Sequence, residues 1–238
     1  MRLPDPTLTR ATGLLIPSFE SSNTLGTGFK FPYFIKLNDH SDLTLTPYLS
    51  TSTTTLEAAY RQAFLRGELS IKTAVTNDDL KQDPRAYVFA SGIFNIGSDV
   101  TLGFGIELTS DEAYLLEYGY SGKDRLDSKI IIQRVRDRDQ TQAHLTYYAS
   151  LRAGEDSATL PPLLVDISWE RRVTPRWGGT VTLTSDLQSH YRTTATTRTA
   201  LEDMAGRDVA RVSFGTAWHS DRITSFGMVT NGTVGLNL

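Results

Sequence analysis

From Leu25 to Leu37 the chain alternates residue by residue. The odd positions read Leu25, Thr27, Phe29, Phe31, Tyr33, Ile35 and Leu37, and the even ones Gly26, Gly28, Lys30, Pro32, Phe34 and Lys36. A two-residue period sends successive side chains to opposite faces of a strand, so one face here is apolar and the other carries glycine and lysine. The run is long for a strand of a soluble sandwich, where about five or six residues is usual. It suits a tilted crossing of the hydrocarbon layer of a bilayer, which takes about 9–11. Pro17, Pro32 and Pro47 each sit inside such a run. Each removes one N–H from a ladder, so the strands of the opening stretch, Thr12 to Leu49, are imperfectly paired.

Charge and composition narrow the classes further. The 238 residues include 24 Lys+Arg against 27 Asp+Glu and no cysteine. Near-neutral charge gives no electrostatic footprint for nucleic acid, and the missing thiols exclude disulfides and thiolate metal sites in this segment. No apolar run approaches the roughly 18 residues of a spanning helix, and the start, MRLPDPTLTR, lacks the apolar core of a signal peptide. A transmembrane β-barrel stays open, because its lipid face uses only every second residue and leaves mean hydropathy low.

About thirteen strands are expected, near 12–21, 25–37, 42–50, 54–65, 68–76, 86–96, 99–109, 126–135, 140–152, 162–172, 177–190, 207–220 and 227–238. Their connections sort by end. One set is short throughout (Asn38–Ser41, Arg66–Gly67, Gly97–Ser98, Arg136–Asp139, Val173–Arg176, Asp221–Phe226); the other grows from Ser22–Thr24 to Asn77–Arg85, Ser110–Arg125, Ala153–Pro161 and Tyr191–Gly206. Tight turns at one end and long polar loops at the other are the habit of outer-membrane barrels. The fold class is therefore read as all-β: an antiparallel transmembrane β-barrel, incomplete, favoured over a soluble β-sandwich. Bacterial barrels use even strand numbers, and the last run ends at Leu236-Asn237-Leu238 without a terminal aromatic. The expectation is the first part of a larger barrel over 12–238, with 1–11 leading in from a preceding domain. Tyr33, Tyr48, Tyr60, Tyr87, Trp169, Trp177 and Trp218 are candidates for interfacial girdles.

Chemistry-bearing motifs are missing. There is no nucleophile elbow, no His-Glu-x-x-His and no phosphate-cradling glycine loop, so no catalytic, cofactor or metal site is expected and the chain reads as no enzyme. His144 with Ser150 is the one base and nucleophile pair worth weighing against a plain polar lining. Lys30, Lys36 and Lys72 fall opposite the apolar face, as candidates to meet an anion in a wet interior or merely to line it. The run Arg134-Val135-Arg136-Asp137-Arg138-Asp139 nearly cancels its own charge and reads as a solvated turn, and Asn231-Gly232-Thr233 fits a turn as well as a glycosylation acceptor.

Three blocks carry a resemblance: Thr12-Gly13-Leu14-Leu15-Ile16-Pro17-Ser18-Phe19, then Phe31-Pro32-Tyr33-Phe34, then Leu43-Thr44-Leu45-Thr46-Pro47-Tyr48. With the acidic, Tyr-Leu-containing loop Asp111–Gly119 and Leu160-Pro161 before a strand, the chain resembles the barrel domain of the LptD family of LPS-assembly outer-membrane proteins, also called organic-solvent-tolerance proteins. The likeness is strongest over about 8–76 and collinear beyond. It implies a barrel of roughly 26 strands in the cell outer membrane of a Gram-negative bacterium. It also implies a preceding periplasmic jelly roll, a lumenal LptE-like lipoprotein plug, and lipopolysaccharide delivered by a periplasmic bridge protein. Lipopolysaccharide would leave for the outer leaflet through a lateral gate between first and last strands, with the family's gate prolines at Pro17 and Pro32. The implied partners are thus lipopolysaccharide, the plug, the bridge protein and outer-membrane lipid, with no nucleic acid and no cofactor. The jelly roll, the closing strands and the linking cysteines of many members have no counterpart in this sequence. The alternatives are a passive porin-like channel, which gives no reason for seam prolines, and a soluble carbohydrate-binding β protein, which would need a second sheet to cover its aliphatic faces.

Overall fold

The computed structural model describes residues 11–22, 24–155, 163–191 and 209–238. Its strands are β1 Gly13–Leu14, β2 Ser18–Ser22, β3 Gly26–Lys30, β4 Tyr33–Lys36, β5 Ser41–Ser50, β6 Thr53–Phe64, β7 Gly67–Asp78, β8 Arg85–Asn95, β9 Val100–Thr109, β10 Arg125–Arg136, β11 Asp139–Ser150, β12 Leu163–Val173, β13 Thr180–Tyr191, β14 Val209–Ile223 and β15 Val229–Asn237. One short helix, α1 Tyr114–Glu117, lies between β9 and β10. Neighbouring strands follow chain order in one sheet that does not close among the described residues. The fifteen segments are the thirteen expected runs with the first two each split in half. The lead-in before Ala11 and the Leu160-Pro161 pair lie outside the described residues.

The splits fall at Pro17 and Pro32. β1 pairs with β4 through Gly13↔Phe34 and Leu14↔Tyr33, whereas β2 pairs with β3 from Ser18↔Lys30 onward. Three residues, 15–17, thus face two, 31–32, and the first strand carries a bulge that slips the register by one. Leu15 N–H still donates to the Pro32 carbonyl at 2.8 Å, and Phe31 N–H to the Pro47 carbonyl at 3.0 Å. The third strand behaves differently. β5 runs unbroken through Pro47, which sits opposite Leu56 of β6.

The described residues form two compact units: those of 11–94 with 104–128 and 149–155, and 95–103 with 129–148, 163–191 and 209–238. In the first unit the alternation is inverted relative to a water-soluble protein. Thr55 and Thr76 are 2% and 1% exposed, while their strand neighbours Leu56 and Val75 are 50% and 55% exposed. Asp42, Asp78 and Arg85 are buried, and Phe29, Leu49 and Val88 face out. The second unit keeps the same two-sided order in its ladder. Ala143, Ile167, Leu187 and Val212 line up across β11–β14 as an apolar row, and next to them His144, Asp166, Gln188 and Arg211 form a polar one. Aliphatic side chains on the outer face and polar ones opposite are what a strand wall in lipid requires. No helix of the described residues is long and apolar enough to cross a membrane.

Of the seven aromatics expected at an interface, Tyr33 and Trp177 are exposed. Trp169 donates to Asp139 at 3.1 Å and Trp218 to the Gly178 carbonyl at 3.1 Å, and Tyr60 donates to Gln62 next to it on β6. Tyr48 and Tyr87 are not interfacial. They are buried on the polar face, where a folded loop covers them.

Candidate functional site

That loop, residues 110–124, was expected to be long and polar, yet its sequence holds Tyr114, Leu115, Leu116, Tyr118 and Tyr120. It folds back through α1, and Tyr114 and Leu115 become fully buried against Leu25, Tyr48, Ala74, Tyr87 and Leu126. Asp111 starts the turn by accepting the N–H groups of Ala113 and Tyr114 at 3.2 and 3.1 Å. Gly119 ends it at φ +68, a left-handed conformation that glycine adopts without steric cost. There the Tyr120 N–H reaches the Leu115 carbonyl at 2.8 Å and the Gly119 N–H the Leu116 carbonyl at 3.1 Å, the paired bonds of a Schellman closure.

Arg85, 2% exposed, holds the loop down. Its Nε and Nη2 donate to the two carboxylate oxygens of Asp111 at 2.9 and 2.8 Å, and its Nη1 lies 3.2 Å from Asp78 and 2.7 Å from Glu117. The guanidinium also sits 4.9 Å over the Tyr114 ring. A buried charge needs this many partners, because desolvation otherwise drives it out. Burial raises the Asp111 carboxyl, but the hydrogen bonds and charge of Arg85 outweigh it and bring it down to about 2. Burial, helped by the Asp78 carboxylate, pushes the Tyr118 phenol up, and burial with the Glu57 charge does the same to Tyr120. Both therefore remain neutral donors, Tyr118 to Asp78 at 2.8 Å and Tyr120 to Glu57 at 2.9 Å. Thr53 in turn bonds the Tyr118 oxygen at 2.7 Å.

Glu57 extends the cluster to the broken strands. Lys30 Nζ lies 3.0 Å from Glu57 and 3.2 Å from Glu20, and 5.1 Å over the Tyr48 ring. Lys30 is thus already matched by two carboxylates, and Lys36 pairs with Asp39 at 2.6 Å beyond the end of β4. Lys72 is exposed, in step with Ala74 and Thr76 on the polar face of β7. The structure does not gather the three lysines into one site. His144 and Ser150 are also apart: they lie six residues away from each other on β11, roughly 20 Å along a strand. Ser150 donates to Glu155 at 2.5 Å, and His144 stands across the ladder from Asp166.

The signal for the tyrosines was present in the loop composition, since six apolar or aromatic residues in fifteen are ill suited to a solvated loop, whereas Arg85 carries no such mark. No group of three or more His, Asp or Glu side chains among the described residues is placed to hold a metal. The arrangement is a mechanical clamp, built from one buried cation, its carboxylates and stacked phenols.

A family model described as "LptD: LPS transport system D" matches residues 83–237. The chain belongs to the LptD family. The match takes in Arg85, the folded loop and every strand from β8 to β15, whereas the residue blocks that first suggested LptD lie ahead of it. A protein named LPS-assembly protein LptD from Idiomarina loihiensis is 26% identical over 166 residues, covering 66% of this chain and 22% of that relative. One of the same name from Xanthomonas euvesicatoria pv. vesicatoria is 31% identical over 112 residues, 46% of this chain and 14% of the relative. The region shared with these LptD proteins is thus less than a quarter of their length.

Proposed function

We propose that this chain is part of the wall of an outer-membrane barrel that assembles lipopolysaccharide into the outer leaflet, and that it performs no bond chemistry. In this reading lipopolysaccharide arrives from a periplasmic bridge protein, an LptE-like lipoprotein fills the lumen, and the first two strands form one side of a lateral gate. Pro17 and Pro32 are the gate residues. Lys30, Lys36 and Lys72 belong to the wet side of the wall.

One observation carries the gate reading. Among the described residues, only the first two strands are broken at their prolines, side by side, while β5 crosses Pro47 without interruption. Each ladder bond missing at the seam is worth about 0.5–1.5 kcal/mol, so a few of them make opening local rather than global. Farther in, β5 to β8 and β11 to β15 pair in continuous register and hold the wall. Replacing both Pro17 and Pro32 with alanine restores two donors and should tighten the seam. The expected outcome is reduced surface lipopolysaccharide and raised detergent sensitivity in cells that carry the double variant. Normal surface lipopolysaccharide with unchanged detergent sensitivity would remove the gate assignment.

A further inference from the structure

In the second unit, at the short-turn end of the strands, the β10–β11 turn and the end of β12 border an open cleft of about 800 Å³. Arg134, Arg136, Arg138, Arg171 and Arg172 line it, against Asp137 and Asp139. The run Arg134–Asp139 cancels its charge on paper but not in space. Asp139 lies across the ladder from Arg171, yet it is taken by the Trp169 indole. Arg134 leans on Asp99 at 3.4 Å, Arg138 donates to Thr174 at 3.0 Å, and Arg172 to Glu170 at 2.9 Å. Arg136 and Arg171 have no ion pair among the described residues and open onto the cleft.

Exposed apolar residues share these strand ends, and Val173 lines the cleft itself. Val135 and Val173 are 53% and 40% exposed, and Trp177, just past β12, is 72% exposed. An arginine with its stem on apolar surface and its head in water, beside tryptophan at strand ends, marks the depth of lipid headgroups. Guanidinium binds phosphate oxygens in a planar two-point fashion. We propose that this cleft binds the phosphodiester headgroup of an anionic glycerophospholipid, with Arg136 and Arg171 as the phosphate ligands. The proposal rests on the membrane reading above.

The test uses the whole chain folded in zwitterionic micelles, titrated with phosphatidylglycerol or phosphatidylcholine carrying brominated acyl chains, with tryptophan quenching as the readout. Phosphatidylglycerol should quench at lower concentration than phosphatidylcholine. R136Q/R171Q should erase that preference, roughly fivefold for each arginine neutralised. R136K/R171K should keep part of it, and R211Q, at the opposite end of β14, should leave it intact; an unchanged strand signal in circular dichroism confirms that each variant is folded. Equal quenching by the two lipids, or a preference untouched by R136Q/R171Q, overturns the cleft while leaving the membrane reading standing. No quenching by either lipid overturns both. Displacement of the brominated phosphatidylglycerol by an equal concentration of inorganic phosphate would assign the cleft to the free ion and overturn the lipid.

Discussion

On β5–β8 the polar face presents Tyr48, Thr55, Thr76, Arg85 and Tyr87, all of them buried. On β11–β14 the polar row is His144, Asp166, Gln188 and Arg211, none of them buried. Both faces come from the same two-residue alternation and the same antiparallel ladder. What separates them is the 110–124 loop, which supplies the second layer that a single sheet lacks. A strand wall tolerates almost any polar side chain on its wet face. A covered patch of that wall does not, because each group under the cover must find a partner.

The sharpest way to break the contrast is to remove the cation. Arg85→Ala takes the counter-charge they share from Asp78, Asp111 and Glu117, and leaves Asp78 uncompensated in a place closed to water. Loss of one partner from such a buried group costs about 3–5 kcal/mol, enough to release the loop. The amides of Gly119 and Tyr120 should then exchange with deuterium at the rate of an open loop, while β13 and β14 keep their protection. Arg85→Lys keeps the charge but loses the two-point grip on Asp111, and should fall between. Slow exchange at Tyr120 in Arg85→Ala would mean that the tyrosines alone hold the cover.

Acid tests the same joint more gently. The Asp111 carboxyl is held at about 2 in the fold and has its ordinary value, near 4, once the loop is released. A carboxyl lowered by folding stabilises the fold above its unfolded value, and that contribution is lost as pH falls from about 4 toward 2. Its size is on the order of 2 kcal/mol. The near-ultraviolet dichroism of the tyrosine cluster should hold from neutral pH to about 4 and decline below it. Asp111→Asn should flatten that decline. The polar row of the second unit has no comparable contact, and its strand signal should pass through the same range unchanged.

Much of the wall could be read from the sequence; of the cover, only its apolar composition could, not what it packs against. Alternation fixed the faces of β9 and β11 because Ile106, Leu108, Leu145 and Tyr147 are plainly apolar against polar neighbours. β6 was obscure, since Thr53, Thr54 and Thr55 are the same residue on both faces; only burial tells them apart. The prolines marked where two strands break, but the one-residue slip needs the partner strand to be seen. Tyr48 and Tyr87, candidates for an interface by sequence, are buried under the loop instead, because an aromatic in a strand carries no label for its side. The label comes from the loop, 62–76 residues past Tyr48 and 23–37 past Tyr87, and from Arg85, whose place at a loop boundary gives no hint of the Asp111 carboxylate beside it. The candidate wet-face lysines fared the same way: parity puts Lys30 on the polar face, but does not show Glu57 and Glu20 around it.

The smallest expected effects sharpen the comparison most, because each changes one polar side chain, one under the loop and one in the open row. Thr55→Val removes a hydroxyl that bonds Thr76 at 2.8 Å under the loop, where Thr76 also bonds Tyr114. A buried hydrogen bond of this kind contributes about 1 kcal/mol, and the extra methyl group recovers little because the pocket is already full. Gln188→Ala removes an exposed amide flanked in register by Asp166 and Arg211. Exposed substitutions away from special features stay within about 0.5 kcal/mol. Denaturant midpoints of the two variants in the same micelle should therefore differ, with Thr55→Val the lower. Equal midpoints would say that water reaches Thr55 as freely as Gln188, and that the loop lies over the sheet without sealing it.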